Sequence, residues 1–185
     1  MAANSQLSCL EEQLKEYYGR VVWTHKTHEK QADIYTLYDH RLKWCQIVVT
    51  ALVTSGIVAT IFKTASIIAI LTGVLSVIHL VITTYMKNKD YGQIAQIHAM
   101  TAIQIWNIRE QLLSLLIDLK DNRLSIEEAQ TMRSEIHNQL FCIYDKAPRT
   151  SARAYTKATK ALKEAEELYF TKEEINLILP NVLRD

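Results

Sequence analysis

Between Trp44 and Met86 run 43 residues with one charged side chain, Lys63, while the rest of the chain carries 40. Only a bilayer or a large protein core takes up so much uncharged sequence. The 19 residues from Trp44 to Phe62 would form a helix about 28 Å long at ~1.5 Å per residue. A hydrocarbon core is about 30 Å thick. The second apolar block, Ile67 to Met86, has 20 residues and fits the same thickness. A domain of this size rarely needs a buried helix of that length twice running. The pattern predicts two membrane spans, about 44–62 and 67–86, joined by a tight turn at Lys63-Thr64-Ala65-Ser66.

Bulk composition conceals this division. Mean hydropathy is −0.04 and net charge +1, values that suit a soluble protein. They average an apolar hairpin against two charge-balanced flanks, six basic and six acidic residues in 1–43 and fourteen of each in 87–185. With no basic tract, direct nucleic-acid binding has little electrostatic support. The hairpin begins too late and is too long for a signal peptide, and a second span follows at once. Cys9, Cys45 and Cys142 are widely spaced, form no CxxC pair and read as ordinary apolar side chains in a reducing compartment.

The flanks set the orientation. Arg41 and Lys43 precede the first span, Lys87 and Lys89 follow the second, and the tip offers only Lys63. The excess of basic residues predicts both termini in the cytoplasm. Trp44 and Tyr85 fall at that same boundary, where amphipathic rings settle.

Both flanks have helical periodicity. Leu7, Leu10, Leu14, Tyr17 and Val21 recur at three- or four-residue steps, and Ala32, Tyr35 and Leu42 carry the stripe onward. Gly19 is a candidate kink. Ile94, Ile97, Ile105, Ile108, Leu112, Leu115 and Leu119 continue beyond the second span, which predicts one rod running out of the membrane. Asp121-Asn122-Arg123 breaks the pattern. Ser125 with Glu128 reads as a capping box for a helix to about Tyr144. A helix near Ser151–Leu168 follows the Ala147-Pro148 breaker, and Thr171 with Glu174 caps a short last one. The expected fold is all-α, a two-span transmembrane hairpin whose helices extend into a cytoplasmic helical bundle. Its parts are an N-terminal segment 1–43, the hairpin 44–86 and a C-terminal segment 87–185.

Within the spans, Thr72, Ser76, His79 and Thr83 share one helix face, and Gln46, Thr50 and Thr54 make a shorter stripe. Polar groups in hydrocarbon are costly unless they meet partners or water. Two helices cannot enclose a conduit, so a water-filled path requires several subunits. The second-span stripe therefore reads either as pore lining in a homo-oligomer or as hydrogen-bonding glue between helices. Ala51, Ser55 and Ala59, with Ala69 and Gly73, form small-residue rows suited to close helix packing. His25, His28 and Glu29 lack a third metal ligand and read as a solvated helix face. No phosphate loop, GxSxG or HExxH is present, so neither a catalytic centre nor a cofactor is expected.

A family resemblance rests on the order of several motifs around the hairpin. Trp23 and His25 lie on the entry helix, and Tyr35 and Arg41 lead into the spans. Then come His98, Ala102, Trp106 and Arg109-Glu110, followed by Ile143-Tyr144, Ala147-Pro148 and Ala154. From about Leu10 to Arg184 this layout resembles the SLATT family, two-span membrane proteins of bacterial conflict systems. The resemblance implies an antiphage effector that perforates or depolarises the cell's own inner membrane. It implies a nearby sensor as partner, a nucleotide-messenger synthase or a reverse transcriptase. Trp23, His25, Trp106 and Arg109 would then form an assembly interface or ligand pocket, or simply packing between juxtamembrane helices. A membrane-anchored adaptor that recruits a partner is the rival expectation.

Overall fold

A computed structural model describes residues 2–61, 66–168 and 170–184. Phe62 and the Lys63-Thr64-Ala65 portion of the expected turn lie outside the described residues. Six α-helices and one short 3-10 turn account for the architecture, with no strand among the described residues. The fold is all-α.

The first helix, α1 (Ala2–Ile61), is 60 residues long and spans about 90 Å. It passes Gly19 without interruption, so the helix is not broken there. No proline falls within it, and a lone exposed glycine costs only about 1 kcal/mol. The second helix, α2 (Ser66–Asn88), returns antiparallel to it. The expected rod beyond the second span is broken at Lys89-Asp90, before α3 (Tyr91–Lys120). The break has a local cause. The Asp90 carboxylate accepts from the Gln93 amide at 2.8 Å and starts a new helix. The unbroken rod is therefore α1.

At the far end of α3 the chain reverses through Asn122, whose φ of 55° is left-handed. Arg123 N–H donates to the Asp118 carbonyl and Asn122 N–H to Leu119, the paired bonds of a Schellman ending. Ser125 and Glu128 close the expected capping box on α4 (Ile126–Lys146). The next helix, α5 (Ala152–Lys163), is shorter than its periodicity suggested. Thr171 and Glu174 make the second box, on α6 (Lys172–Ile178).

Each of α2, α3, α4 and α5 packs against α1. Beyond the hairpin the core is a seam of Leu10, Leu14 and Val21 from α1 with Ile105, Ile108, Leu112, Leu115 and Leu119 from α3, closed by Ala129 and Ile136 of α4. Apart from the two α4 residues, all of these belong to the two sequence stripes, of which Ile97 stays exposed and Ile94, Tyr35 and Leu42 half-buried.

The hairpin obeys the opposite rule. The apolar windows of α1 and α2 lie mostly on the surface, and both helices are long and apolar enough to cross a membrane. Trp44, Ile47, Ile67, Ile70 and Leu80 each leave more than half their surface uncovered. Thr50 lies opposite His79, and Trp44 and Tyr85 each sit six residues nearer the bundle. The two belt rings are therefore level with each other.

The seam carries most of the stability of the bundle. Leu112→Ala leaves a void in fully buried surroundings and should cost about 3 kcal/mol, whereas Ile97→Ala should cost under about 1 kcal/mol. Denaturant unfolding of the detergent-solubilised chain, followed by tryptophan fluorescence, would separate the two.

Candidate functional site

The clearest concavity outside the hairpin lies between α1 and α3. It is an open cleft of about 670 Å³ lined by His25, Lys26, Glu29, Lys30 and Asp33 on one wall and by Ile103, Trp106 and Arg109 on the other. Ala32, Ala99 and Ala102 at its floor are too short to fill the space between the helices. Leu168 crosses one side.

Ion pairs hold the rim. Lys26 Nζ lies 2.7 Å from Glu167 and 2.9 Å from Glu29, and Lys30 Nζ lies 3.0 Å from Glu167. Burial by itself would depress the Lys26 ammonium, but the two carboxylates outweigh it and hold its pKa above the ordinary lysine value. The lysines in turn draw the Glu167 carboxyl below the usual range. Glu167 thereby straps the segment after α5 onto α1. On the other wall Arg109 donates through Nε and Nη2 to Glu110 at 2.9 and 2.7 Å.

His25 and His28 do not form a solvated face. The apolar stripe of α1 continues through them and turns both rings inward, to 6% and 4% exposure. His25 Nε2 stands 3.6 Å from Glu29. Its pKa is lowered by burial, which outweighs the attraction of Glu29, and the Arg109 and Lys26 charges add to the lowering. His25 Nδ1 and Trp23 Nε1 are buried without a hydrogen-bond partner among the described residues. Deeper in the seam, His28 Nδ1 meets His98 Nδ1 at 3.1 Å, so one ring donates and the other accepts. Burial and the neighbouring imidazole push the His28 pKa down to about 4. Tyr35 stacks on His98, with Tyr91 beyond it, building an aromatic block where the bundle joins the hairpin. No group of three metal-ligating side chains occurs among the described residues.

Three of the four sequence candidates, His25, Trp106 and Arg109, meet in this cleft. Trp23 does not. It packs against Tyr155 of α5, with Lys163 Nζ 5.6 Å from its ring centre. Sequence reasoning missed Gln31, a buried side chain that accepts from the Ser151 amide at 2.8 Å and anchors the start of α5. It also missed the strap at Glu167. A signal for the seam histidine was available, since Leu14, Val21, His28 and Tyr35 repeat every seven residues. Nothing in the local pattern marks Glu167, whose partners lie on the first helix.

In the hairpin, Thr72 is buried against α1, and Ser76, His79 and Thr83 are half-buried on the same side. A Cβ added at Gly56 would collide with the Thr72 hydroxyl, so the helices approach closely there. His79 Nδ1 lies 3.3 Å from the Thr50 hydroxyl across the hairpin. Thr72 and Ser76 donate to carbonyls of their own helix. The polar stripe thus faces inward within one chain. Ala51, Ser55, Ala69 and Gly73 are exposed on the outer faces and Ala59 is half-buried, so contact inside the hairpin runs through Gly56 and Thr72 instead of the small rows. All three cysteines are free and exposed.

A two-helix apolar hairpin with a lipid-ready surface, rooted in a helical bundle, defines a two-span membrane protein. Residues 10–174 match the SMODS and SLOG-associating 2TM effector domain family 4. The chain belongs to this family of effectors of bacterial conflict systems. No curated protein and no solved structure matches it.

The histidine seam should be acid-sensitive. Folded His28 takes a proton only near pH 4, whereas the ordinary value is 6.5. Between those values the unfolded chain binds the extra proton, so stability is complete above the upper value and falls as pH drops through the window. Thermal midpoints measured from about pH 7.5 down to about pH 5 should decline, and His28→Gln should flatten that slope.

Proposed function

We propose that this protein is a pore-forming effector of antiphage defence in the bacterial inner membrane. On this reading residues 44–86 cross the bilayer, while 1–43 and 87–185 stay in the cytoplasm. Several copies assemble, and a sensor encoded nearby, a nucleotide-messenger synthase or a reverse transcriptase, triggers conduction that depolarises the cell. The observation that carries the reading is the largely exposed apolar surface of both long helices in a member of a two-span effector family.

The inward-facing polar stripe fits the quiet form of such a machine. Thr72 is buried against Gly56 and His79 is half-buried beside Thr50, so the stripe is turned partly away from lipid. The small residues on the outer faces suit close contact between subunits. Rearrangement that turned α2 away from α1 would present Thr72, Ser76, His79 and Thr83 to a shared axis. The cleft at His25, Trp106 and Arg109 is then the place for the cytoplasmic cue, as ligand pocket or assembly interface.

The same inward stripe favours a second reading, in which the hairpin only tethers an adaptor. Replacing residues 44–86 with an unrelated two-span anchor separates the two. A pore former should lose its toxicity on co-expression with its sensor, and an adaptor should keep it.

Dye release from vesicles tests the pore lining itself. Thr72→Val, Ser76→Ala and His79→Leu together preserve bulk near Gly56 and should cut release about tenfold or more at equal insertion. Release at the wild-type rate would remove the stripe from the conducting path.

A further inference from the structure

The segment after the strap is built to be covered and is not covered within its own chain. Phe170, Ile175, Leu177, Ile178, Val182 and Leu183 are all exposed, Leu177 at 76%, Ile178 at 75% and Val182 at 91%. No residue of α6 is buried. A seven-residue helix has little intrinsic stability in water. This one is nevertheless fixed at both ends, by the Thr171–Glu174 capping box and by Arg184, which folds back to donate to the carbonyls of Leu179 and Leu177 at 2.8 and 3.2 Å. Such pre-ordering lowers the cost of docking. The family match ends at residue 174, so the apolar part of the segment from Ile175 onward lies beyond the matched region.

A receptor of the right character sits on the other side of α1. Tyr17, Val21, Leu140, Phe141 and Tyr144 line an apolar groove of about 220 Å³ between α1 and α4. Phe141 at its edge is 67% exposed. His137 stacks on Tyr17, and Arg20, which pairs along α1 with Glu16, is the groove's one lysine or arginine. No carboxylate lines the groove, whereas α6 opens with Lys172, Glu173 and Glu174, a first turn of net negative charge. The charges are complementary. The same two glutamates argue against a lipid surface as the occupant, because anionic headgroups repel them.

We propose that residues 170–184 of one copy dock in the α1–α4 groove of a second copy, with the α6 aliphatic side chains in the groove and its acidic first turn beside Arg20. Glu167 holds the base of the segment on Lys26 and Lys30 of its own chain, leaving the apolar end to reach outward. A segment and a groove on different faces make a head-to-tail contact, which closes into a ring when the rotation permits. This deepens the homo-oligomer part of the proposed function and rests on it.

Site-directed disulfide trapping in the full-length chain tests the contact. Cys9, Cys45 and Cys142 are first replaced by serine. Two differently tagged chains, one with Ile178→Cys and one with Phe141→Cys, are then co-expressed and oxidised in native membranes. The expected product is a mixed-tag disulfide dimer. Adding Leu177→Asp and Val182→Asp, exposed positions that leave the bundle intact, should lower its yield about tenfold, as loss of some 1.4 kcal/mol of docking energy would do. Absence of the mixed product overturns the inference, as does a third chain carrying both Ile178→Cys and Phe141→Cys whose disulfide forms only within itself. Particle mass in detergent tells the two failures apart. An oligomer without the cross-link refutes this contact alone, and a monomer refutes the assembly it rests on.

Discussion

The exposed apolar surface of the hairpin governs everything else in this molecule. Side chains such as Ile67, Ile70 and Leu80 cannot remain uncovered in water over such an area without driving aggregation. Lipid is the solvent that accepts them, and the same lipid dictates helices, because backbone amides there must be satisfied within the segment. Most polar groups on the spans obey the same rule, the exception being the Thr83 hydroxyl, buried without a partner among the described residues. Thr72 and Ser76 use their own backbone, and His79 turns to Thr50.

Outside the bilayer, order depends on α1. It carries one wall of the hairpin, one side of the leucine seam, the acidic and basic wall of the cleft and the anchor for α5. The cleft exists because alanines on α1 and α3 hold the helices near each other without filling the gap. Its cations are neutralised in place by Glu29, Glu110 and Glu167. An anionic ligand there must compete with carboxylates already bound, and such competition couples occupancy to the strap at Glu167.

Much of the fold was legible in the chain. The hairpin, the leucine stripes and both capping boxes follow from local rules of charge, period and cap chemistry that need no tertiary knowledge. The break at Asp90 was locally encoded too, but it was masked by apolar spacing that continues across it. The direction of the polar stripe was a different matter. Periodicity places Thr72, Ser76, His79 and Thr83 on one face and is silent on what that face meets, which depends on the rotation of α2 against α1. The small rows raise the same question, since within one chain it is Gly56, outside that pattern, that meets Thr72. At the candidate site, His25, Trp106 and Arg109 were found through family layout and Gln31 and Glu167 were not, because their partners lie more than a hundred residues away in sequence.

The two connections between hairpin and bundle are mechanically unlike. One is an uninterrupted helix, and the other is a joint at Lys89-Asp90 where the axial hydrogen bonding restarts. A displacement of α1 near Trp23 is therefore carried along one continuous helix, whereas α2 and α3 meet at a joint whose two sides are held by the Tyr85–Tyr91 hydroxyl contact at 2.8 Å.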